Sequence, residues 1–222
     1  RDLLLGEADE AGPGPAFGAG VGARSTLVER ANRLRTSELD RSLLEDWVAR
    51  ATERASGYRL VAFDDTCPDG LAEGFSSAMD AMNDAPMPET MEPTVLRVEE
   101  LRAFERSRAQ RGRGQWVVLA LHEPTGDVAG LTELQFPRHR PWLAEQWDTG
   151  VVAAHRNRGL GRWLKAVNLQ RLLDERPEVE VVDTGNATTN RAMLGINDAL
   201  GFRELVRWAN LEVQADDLLA RL

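Results

Sequence analysis

Apolar positions recur with a helical spacing in some segments and with a strand-like pattern in others. Between Leu71 and Asn83 they fall three to four residues apart, which predicts a helix. Comparable helical patterns cover 42–54, 97–110, 160–172 and 190–200. Short β-rich runs, which predict strands, cover 58–63, 115–122, 127–136, 147–154, 179–183 and 202–213. The turn residues between 122 and 128 join two of these runs into a β-hairpin. The pattern therefore predicts both strands and helices along the chain.

The first quarter of the chain differs from the rest. Residues 6–22 are rich in Gly, Ala and Pro without an apolar period, which predicts a linker or a mobile loop. The capping box Ser42-x-x-Glu45 then predicts the start of the helix over 42–54. We expect 1–57 to be an N-terminal extension, a linker plus a helix that could be the remnant of a preceding domain, and 58–214 to be the main domain. The helix is expected to pack on the main domain or on a missing one through Leu44, Trp47 and Val48.

Composition narrows the class of protein. The chain has 222 residues, 42% of them apolar and 28% charged, as in soluble globular proteins. No run approaches the ~18–20 apolar residues of a membrane span, and the N-terminus has no secretory pattern. One cysteine and three scattered histidines make neither a disulfide framework nor a zinc motif. A net charge of −9 argues against nucleic-acid binding. We expect a cytoplasmic protein without metal, membrane or nucleic-acid partner.

Charge is distributed unevenly along the chain. Residues 64–100 contain ten acids and one base, whereas 156–165 contain four bases and no acid. Only one of the 27 basic residues is lysine, so richness in arginine alone says little about function. The sequence therefore predicts an acidic region and a compact basic one. The acidic run is equally consistent with a solvated helical face.

The basic segment contains a glycine turn. A predicted strand leads into Arg156-Asn157-Arg158-Gly159-Leu160-Gly161, and a helix follows. Glycines allow backbone N–H groups to converge, the N-terminus of the helix adds a partial positive charge, and arginines can bind phosphate directly. The turn matches neither the dinucleotide-binding nor the P-loop pattern. Taken alone, it predicts either a phosphate site or a tight strand-to-helix turn with incidental arginines.

The order of elements and two motifs resemble the GCN5-related N-acetyltransferase (GNAT) superfamily. The motifs are Arg156-x-x-Gly159-x-Gly161 and Asn186…Asn190…Gly201-Phe202, and the resemblance covers about Tyr58 to Val213. It implies an α/β (α+β) GNAT fold: a mixed, mostly antiparallel central sheet with a splayed strand pair and helices on both faces. The strand 146–149 resembles the second, C-terminal half of tandem-GNAT bacterial proteins.

The resemblance implies acetyl-coenzyme A as the cosubstrate and no metal. The N–H groups of 157–162 would hold its pyrophosphate, and the strand edge at 151–153 would pair with the pantetheine arm. Two asparagines would contact it from the far side of the splay, although each also suits a turn or a helix cap. The implied cofactor-binding residues are Val151, Val152, Ala153, Arg156, Asn157, Arg158, Gly159, Leu160, Gly161, Arg162, Asn186 and Asn190.

Acetyl transfer to an amine requires a base, because the ammonium must lose a proton before it attacks. Asp148 shares strand parity with Val152 and Gln146, on the face that often carries a base in this superfamily. Glu133, on the second hairpin strand, is the other candidate. A strand N–H near Val152 is expected to stabilise the oxyanion. The alternatives are a strand-end hydrogen bond for Asp148 and an ion pair for Glu133.

The sequence departs from the family at one position. Many members carry a tyrosine, the general acid for the thiolate, four residues before the glycine of the Gly-Phe pair, where this chain has Asn197. Solvent could protonate the thiolate, or Tyr58 or His155 could replace the tyrosine. His155 would otherwise cap the surface beside the loop.

Three functions remain open at this point. The first is an N-acetyltransferase in which the primary amine of a small cationic acceptor attacks acetyl-coenzyme A directly. The acidic region favours this function. The second is a catalytically degenerate GNAT domain that binds coenzyme A or serves as a structural partner, which the missing tyrosine favours. The third is a transferase for a longer acyl group. A second GNAT-like domain or a homodimer is the expected protein partner.

Overall fold

The computed structural model describes residues 3–88 and 90–219, which form two compact units. Unit 1 comprises the described residues of 1–33, 86–92 and 184–222, and unit 2 comprises 34–85 and 93–183. The elements in chain order are β1 (Leu3–Asp9), α1 (Gly14–Gly20), β2 (Arg24–Arg35), α2 (Arg41–Arg54), β3 (Tyr58–Asp64), α3 (Asp69–Met79), α4 (Val98–Gln110), β4 (Arg113–His122), β5 (Val128–Pro137), β6 (Leu143–Val151), α5 (Leu160–Glu175), β7 (Val181–Ala187), α6 (Arg191–Leu200), β8 (Arg203–Gln214) and α7 (Ala215–Leu219). Short 3-10 turns cover Thr36–Glu38, Asp80–Asp84 and Ala153–His155.

Unit 2 contains a mixed sheet in the order β7-β6-β5-β4-β3, in which β7 contributes its residues up to Asp183. Strands β3 to β6 pair antiparallel with their neighbours, and β6 pairs with β7 in parallel from Leu143–Val181 to Glu145–Asp183. The predicted hairpin is β4–β5, joined by a turn at 123–127. The predicted mixed, mostly antiparallel sheet is confirmed.

Helices cover both faces of this sheet. Alternate residues of β4 face opposite sides, because successive side chains in a strand alternate. Leu119 packs with Phe75 of α3 and Leu101 of α4 on one face. Ala120 packs with Leu160 of α5 on the other. This arrangement agrees with the fold class expected from the sequence.

Helix α2 packs on α5, as its apolar face predicts. Leu44 and Trp47 are buried, and Val48 is half-buried. The helix begins one residue before the predicted capping box, because Asp40 is its N-cap. The Asp40 carboxylate accepts hydrogen bonds from the N–H groups of Ser42, at 2.9 Å, and Leu43, at 3.3 Å. A hydrogen bond from the Ser42 hydroxyl, at 2.7 Å, together with these two backbone bonds, holds the pKa of Asp40 below its ordinary value.

Unit 1 contains the antiparallel strands β1, β8 and β2, with β8 in the middle. The prediction of a linker over 6–22 is wrong, because this segment contains the end of β1 and the helix α1. Glycine lets α1 pack closely: a Cβ on Gly18 would lie 2.9 Å from Leu211 Cδ1, and one on Gly14 would lie 2.4 Å from Ala8 Cβ. Because α1 packs through glycines and not through apolar side chains, its sequence shows no apolar periodicity.

The two units do not follow the domain boundary expected after residue 57. Residues up to 33 group with the C-terminal segment, and 34–57 group with the central part of the chain. The N-terminal extension and the 58–214 domain stay predictions about domain organisation. No helix in the described ranges 3–88 and 90–219 is long and apolar enough to cross a membrane.

Candidate active site

The glycine turn lies in unit 2, between the turn that follows β6 and the start of α5. Gly159 is the N-cap of α5 and has φ 80°, a left-handed conformation that glycine adopts without strain. Asn157 has φ 63° and is one of two residues other than glycine with positive φ in the described part of the chain. Two left-handed residues in three reverse the chain direction and turn consecutive N–H groups towards a common side, as in an anion-binding nest.

The N–H groups of this turn have no acceptor among the residues that the structure describes. None of the described residues accepts a hydrogen bond from the backbone N–H groups of 157–162, and the first N–H of the helix that does bond is Trp163 to the Gly159 carbonyl, at 3.1 Å. The helix that follows is 16 residues long and has no side-chain cap, so its N-terminus carries an uncompensated partial positive charge. The geometry fits the phosphate site predicted from the sequence.

The arginines of the turn hold it in place. Arg156 Nε donates to the Val151 carbonyl at 3.0 Å, and its guanidinium forms an ion pair with Asp84. Arg158 donates to the Ala154 carbonyl at 3.2 Å. The Arg162 guanidinium lies over the Trp47 ring, 5.3 Å from its centroid. Each guanidinium has five N–H donors, so these contacts leave donors for a phosphate.

Lys165 differs from the arginines that precede it. It is only 1% exposed, and burial lowers its pKa to about 7 because the charged ammonium is disfavoured away from water. The compact basic region predicted over 156–165 therefore contains three surface arginines rather than four surface cations.

The strand before the turn ends earlier than expected. Strand β6 covers Leu143–Val151 instead of 147–154, and Ala153 lies in a 3-10 turn. The Val152 N–H donates to the Ala129 carbonyl at 2.9 Å, so it is not available for an oxyanion. Hydrogen-bonded and non-hydrogen-bonded pairs alternate in an antiparallel ladder, so the neighbouring Val151 directs its N–H away from β5. The expected oxyanion donor moves from Val152 to Val151.

A β-bulge brings the two candidate bases together. In the ladder of β5 and β6, Thr132 pairs with Thr149 and Leu134 with Gln146, so Glu133 lies opposite both residues 147 and 148. Bulges of this kind re-aim side chains and occur often beside active sites.

The bulge also changes which residues share a face of the sheet. Asp148 shares the face of Val152, which packs with the core on the α3 side. Gln146 projects to the other face, where its Nε2 lies 3.2 Å from Thr132 Oγ1. The predicted parity of Asp148 with Val152 is therefore confirmed, and its parity with Gln146 is wrong.

Both carboxyl groups have raised pKa values, and the charge of Asp148 acts on Glu133. Glu133 is 5% exposed, and burial, together with the charge of Asp148, raises its pKa to about 8. The Arg108 guanidinium and a hydrogen bond from Gln115 act in the opposite direction. Burial also raises the pKa of the half-buried Asp148. Carboxyl groups with perturbed pKa values are typical of proton-transfer sites.

The asparagines implied by the resemblance lie in unit 1. Asn190 is the N-cap of α6, and its Oδ1 accepts from the Met193 N–H at 3.2 Å. Asn197 is fully buried, and its Nδ2 donates to Asn186 Oδ1 at 2.7 Å. Asn197, at the position of the family tyrosine, therefore helps to fix Asn186. That Asn186 and Asn190 contact the cofactor stays a prediction.

Three aromatic side chains meet beside the turn. The Tyr58 hydroxyl lies 2.8 Å from His155 Nδ1. The His122 ring centroid lies 5.0 Å from that of Tyr58 and 5.1 Å from that of His155. Burial lowers the pKa of His155, and the neighbouring His122 and Arg158 lower it further. Sequence reasoning missed His122 because its partners come from distant segments.

The whole chain was compared with known proteins. No family model and no curated protein matches the sequence. Among solved structures, a tandem GNAT protein from the clavulanic acid biosynthesis pathway is 31% identical with a TM-score of 0.79, over 97% of this chain and 65% of that one. A GCN5-related N-acetyltransferase from Sphaerobacter thermophilus is 11% identical with a TM-score of 0.65, over 96% and 60%. One from Kribbella flavida is 16% identical with a TM-score of 0.56, over 95% and 68%.

These similarities fix the class of protein. The chain spans less than two thirds of the first two of these proteins, and at 11% and 16% identity the second and third show the fold alone. The chain has the GNAT fold, and the resemblance to GNAT acetyltransferases predicted from its sequence is confirmed. The similarity to a tandem GNAT protein agrees with the resemblance seen in the strand 146–149.

Proposed function

We propose that the chain is a cytoplasmic N-acetyltransferase that transfers the acetyl group of acetyl-coenzyme A to the primary amine of a small acceptor. The observation that carries the proposal is the glycine turn. At the start of a 16-residue helix it presents six consecutive N–H groups, flanked by arginines, that bond to no acceptor among the described residues. A pyrophosphate would accept these hydrogen bonds and neutralise the N-terminus of the helix. The GNAT fold supports acetyl transfer in general.

The pair of Glu133 and Asp148 would supply the base. Asp148 is half-buried and reaches solvent, so it can meet an incoming ammonium, whereas Glu133 is buried behind it and keeps its proton up to about pH 8. A raised pKa makes each carboxylate a stronger base than an ordinary one. We assign proton abstraction to Asp148. Glu133 is the second carboxylate of the pair.

The reaction would then be a direct attack. The neutral amine nitrogen forms a bond to the thioester carbon, and the carbon–sulfur bond breaks with its electron pair leaving on the sulfur. The nitrogen then loses its surplus proton to solvent, which gives the neutral amide. The Val151 N–H would stabilise the oxygen that gains charge. Asn197 cannot protonate the thiolate because its amide is not an acid, and it already donates to Asn186. Solvent protonation is sufficient for this step, since a thiolate is a weak base.

The acidic region 64–100 gives weaker support for a cationic acceptor than its sequence suggests. Asp64 pairs with Arg171, Asp69 with Arg102 and Asp84 with Arg156, so several of its carboxylates already have cationic partners. The acceptor is therefore proposed to be cationic at its ammonium, where it meets Asp148. The tandem neighbour suggests a second GNAT domain as the partner.

The alternative, a catalytically degenerate GNAT domain, predicts a glycine turn that is no longer needed for cosubstrate binding. The retained left-handed Gly159 and the perturbed carboxyl pair favour an active enzyme instead. Calorimetry with acetyl-, propionyl- and free coenzyme A, followed by a thiol-release assay over a panel of amines, separates the readings. Binding together with amine-dependent thiol release supports the proposal. Binding without release for any amine supports the degenerate domain, and preference for propionyl-coenzyme A supports the longer acyl group.

A further inference from the structure

A second polar cavity lies in unit 2, away from the glycine turn. It is a cleft of about 440 Å³ where β3 and β5 end, where α4 ends and where β4 begins. Arg176, directly after α5, forms part of its wall, whereas the glycine turn precedes the same helix. A helix of 16 residues is ~24 Å long, so the cleft is separate from the predicted pyrophosphate site.

Four arginines line this cleft: Arg108, Arg113, Arg138 and Arg176. Arg113 pairs with Glu145, and Arg176 pairs with Glu178 and lies over the Phe136 ring. Among the described residues, no carboxylate lies within ion-pair distance of Arg108 or Arg138. The Nε of Arg108 is buried and has no hydrogen-bond partner within the described ranges 3–88 and 90–219. The Arg108 guanidinium therefore keeps donor capacity that these residues do not use.

Two acids, Glu105 and Asp65, also line the cleft, and their charges act on Arg108, so they offset part but not all of the positive charge of the four arginines. Glu105 forms an ion pair with Arg102 at 2.8 Å and accepts from the Cys67 N–H at 2.8 Å. Asp65 Oδ1 accepts from the Gln115 N–H at 2.8 Å. The Asp65 carbonyl accepts from Arg108 at 2.7 Å, which fixes the guanidinium at the wall. The lining therefore keeps an excess of positive charge.

The cleft adjoins the carboxyl pair through two side chains. Arg108 is the cation whose charge acts on Glu133, and Gln115 donates a hydrogen bond to Glu133 while its own N–H bonds to Asp65 of the cleft wall. The cleft therefore adjoins the buried Glu133, and an acceptor whose anion binds the arginines would have to extend its ammonium from the cleft to Asp148.

We propose that this cleft binds an anionic group of the acceptor, a carboxylate or a phosphate, and that the acceptor is therefore zwitterionic: an amine that also carries an anion. The inference rests on the proposed acetyl transfer and adds the substrate class. Guanidinium groups match both anions because their N–H fork can donate two parallel hydrogen bonds. A purely cationic amine would meet the arginines with unfavourable charge.

The test compares amines that differ only in the anion. The ω-amino acids from β-alanine to 6-aminohexanoate are each compared with their amides, and ethanolamine phosphate is compared with ethanolamine. The first series reports on carboxylate and the second on phosphate. We expect kcat/KM to be about 10- to 100-fold higher for the anionic member of the preferred pair, which is the range of a charge-assisted hydrogen bond.

Arg138→Gln removes one cleft charge at an exposed position, so it should fold normally and lower this ratio about tenfold. Arg108→Gln should lower the ratio and also shift the pH profile upwards, because Glu133 loses the cation that holds its pKa down. Arg106→Gln, at an exposed position of the same helix outside the cleft, is the matched control and should leave the ratio unchanged.

The outcomes separate this inference from the proposed function. Acetylation of amines with a ratio near one, or with a ratio that Arg138→Gln does not change, overturns the zwitterionic acceptor and leaves the N-acetyltransferase intact. If no amine is acetylated, the proposed function fails. Calorimetric binding of the same pairs of compounds then tests whether the cleft binds an anion. Anion-dependent binding that Arg138→Gln weakens then supports it, and equal affinity for the acid and its amide overturns it.

Discussion

Replacing Asp148 with asparagine tests which group takes the proton from the acceptor. The substitution keeps the shape of the side chain and removes the base. General-base catalysis contributes typically ~10²–10⁴-fold, so kcat/KM should fall by that order. Affinity for acetyl-coenzyme A should stay within error, because Asp148 lies in the bulge of β6 and the glycine turn follows that strand.

The structure predicts how this loss depends on pH. The negative charge of Asp148 contributes to the raised pKa of Glu133, so Asp148→Asn should lower the pKa of Glu133 from about 8. Glu133 then becomes available as a substitute base above its new pKa, and the loss should shrink towards ~10²-fold or less at alkaline pH. The acceptor's own ionisation reduces the loss further, since a neutral amine needs no base.

The assay is thiol release measured from pH 6 to 10 with one amine, with calorimetric binding of acetyl-coenzyme A at each pH. Glu53→Gln, an exposed carboxylate on α2, is the control for the loss of a negative charge and should behave like the wild type. A loss that is the same at every pH would mean that Asp148 only positions the ammonium. No loss at all would refute the assignment and transfer the role to Glu133.

Three further predictions concern the same unit. Glu133 has a pKa of about 8 in the folded state against an ordinary value of 4.5, so its contribution to stability is complete below pH 4.5 and is lost as pH rises through 8. In denaturant unfolding, the free energy of unfolding of Glu133→Gln should therefore rise by a few kcal/mol relative to that of the wild type over this range. A difference that is constant with pH would contradict the raised pKa. Gly159→Ala meets no atom within 4 Å but requires a left-handed alanine, so it should lower the free energy of unfolding by about 1–2 kcal/mol, whereas Gly70→Ala, at φ below zero and equally open, should cost nothing. Tyr58→Phe removes the hydrogen bond to His155 and should lower the free energy of unfolding by about 1 kcal/mol. Because the pKa of His155 is lowered, the contribution of neutral His155 to stability is present above pH 6.5 and is lost as pH falls. An effect of Tyr58→Phe that is the same at pH 8 and pH 5 would argue against the cluster.

The elements that could be predicted from sequence are those with a strong local signal. The hairpin of β4 and β5, the helix α5 and the glycine turn all follow from apolar spacing or from glycine placement, and the structure contains each of them. The helix α1 could not be predicted, because it packs through Gly14 and Gly18, which carry no side chain to mark a buried face.

The candidate site was predictable only in part. Both carboxyl groups were found from strand parity, but the bulge that turns Asp148 and Gln146 to opposite faces depends on the register of two strands. The hydrogen bond of the Val152 N–H to Ala129 also depends on that register. Arg108 gave no signal, because it is one of many arginines and its partners, Asp65 and Glu133, come from other segments.

The central claim is that the turn 156–161 holds the pyrophosphate of acetyl-coenzyme A, and titration calorimetry of Gly161→Asp tests it most directly. Aspartate suits the first turn of a helix, so the variant should fold with unchanged stability. It places a side chain and a negative charge beside the N–H groups of 157–162, for which the described part of the chain offers no acceptor. We predict a loss of coenzyme A affinity of at least about tenfold, or about 1.4 kcal/mol, with Gly161→Ala separating the effect of size from that of charge. Wild-type affinity in a folded Gly161→Asp variant would contradict the account.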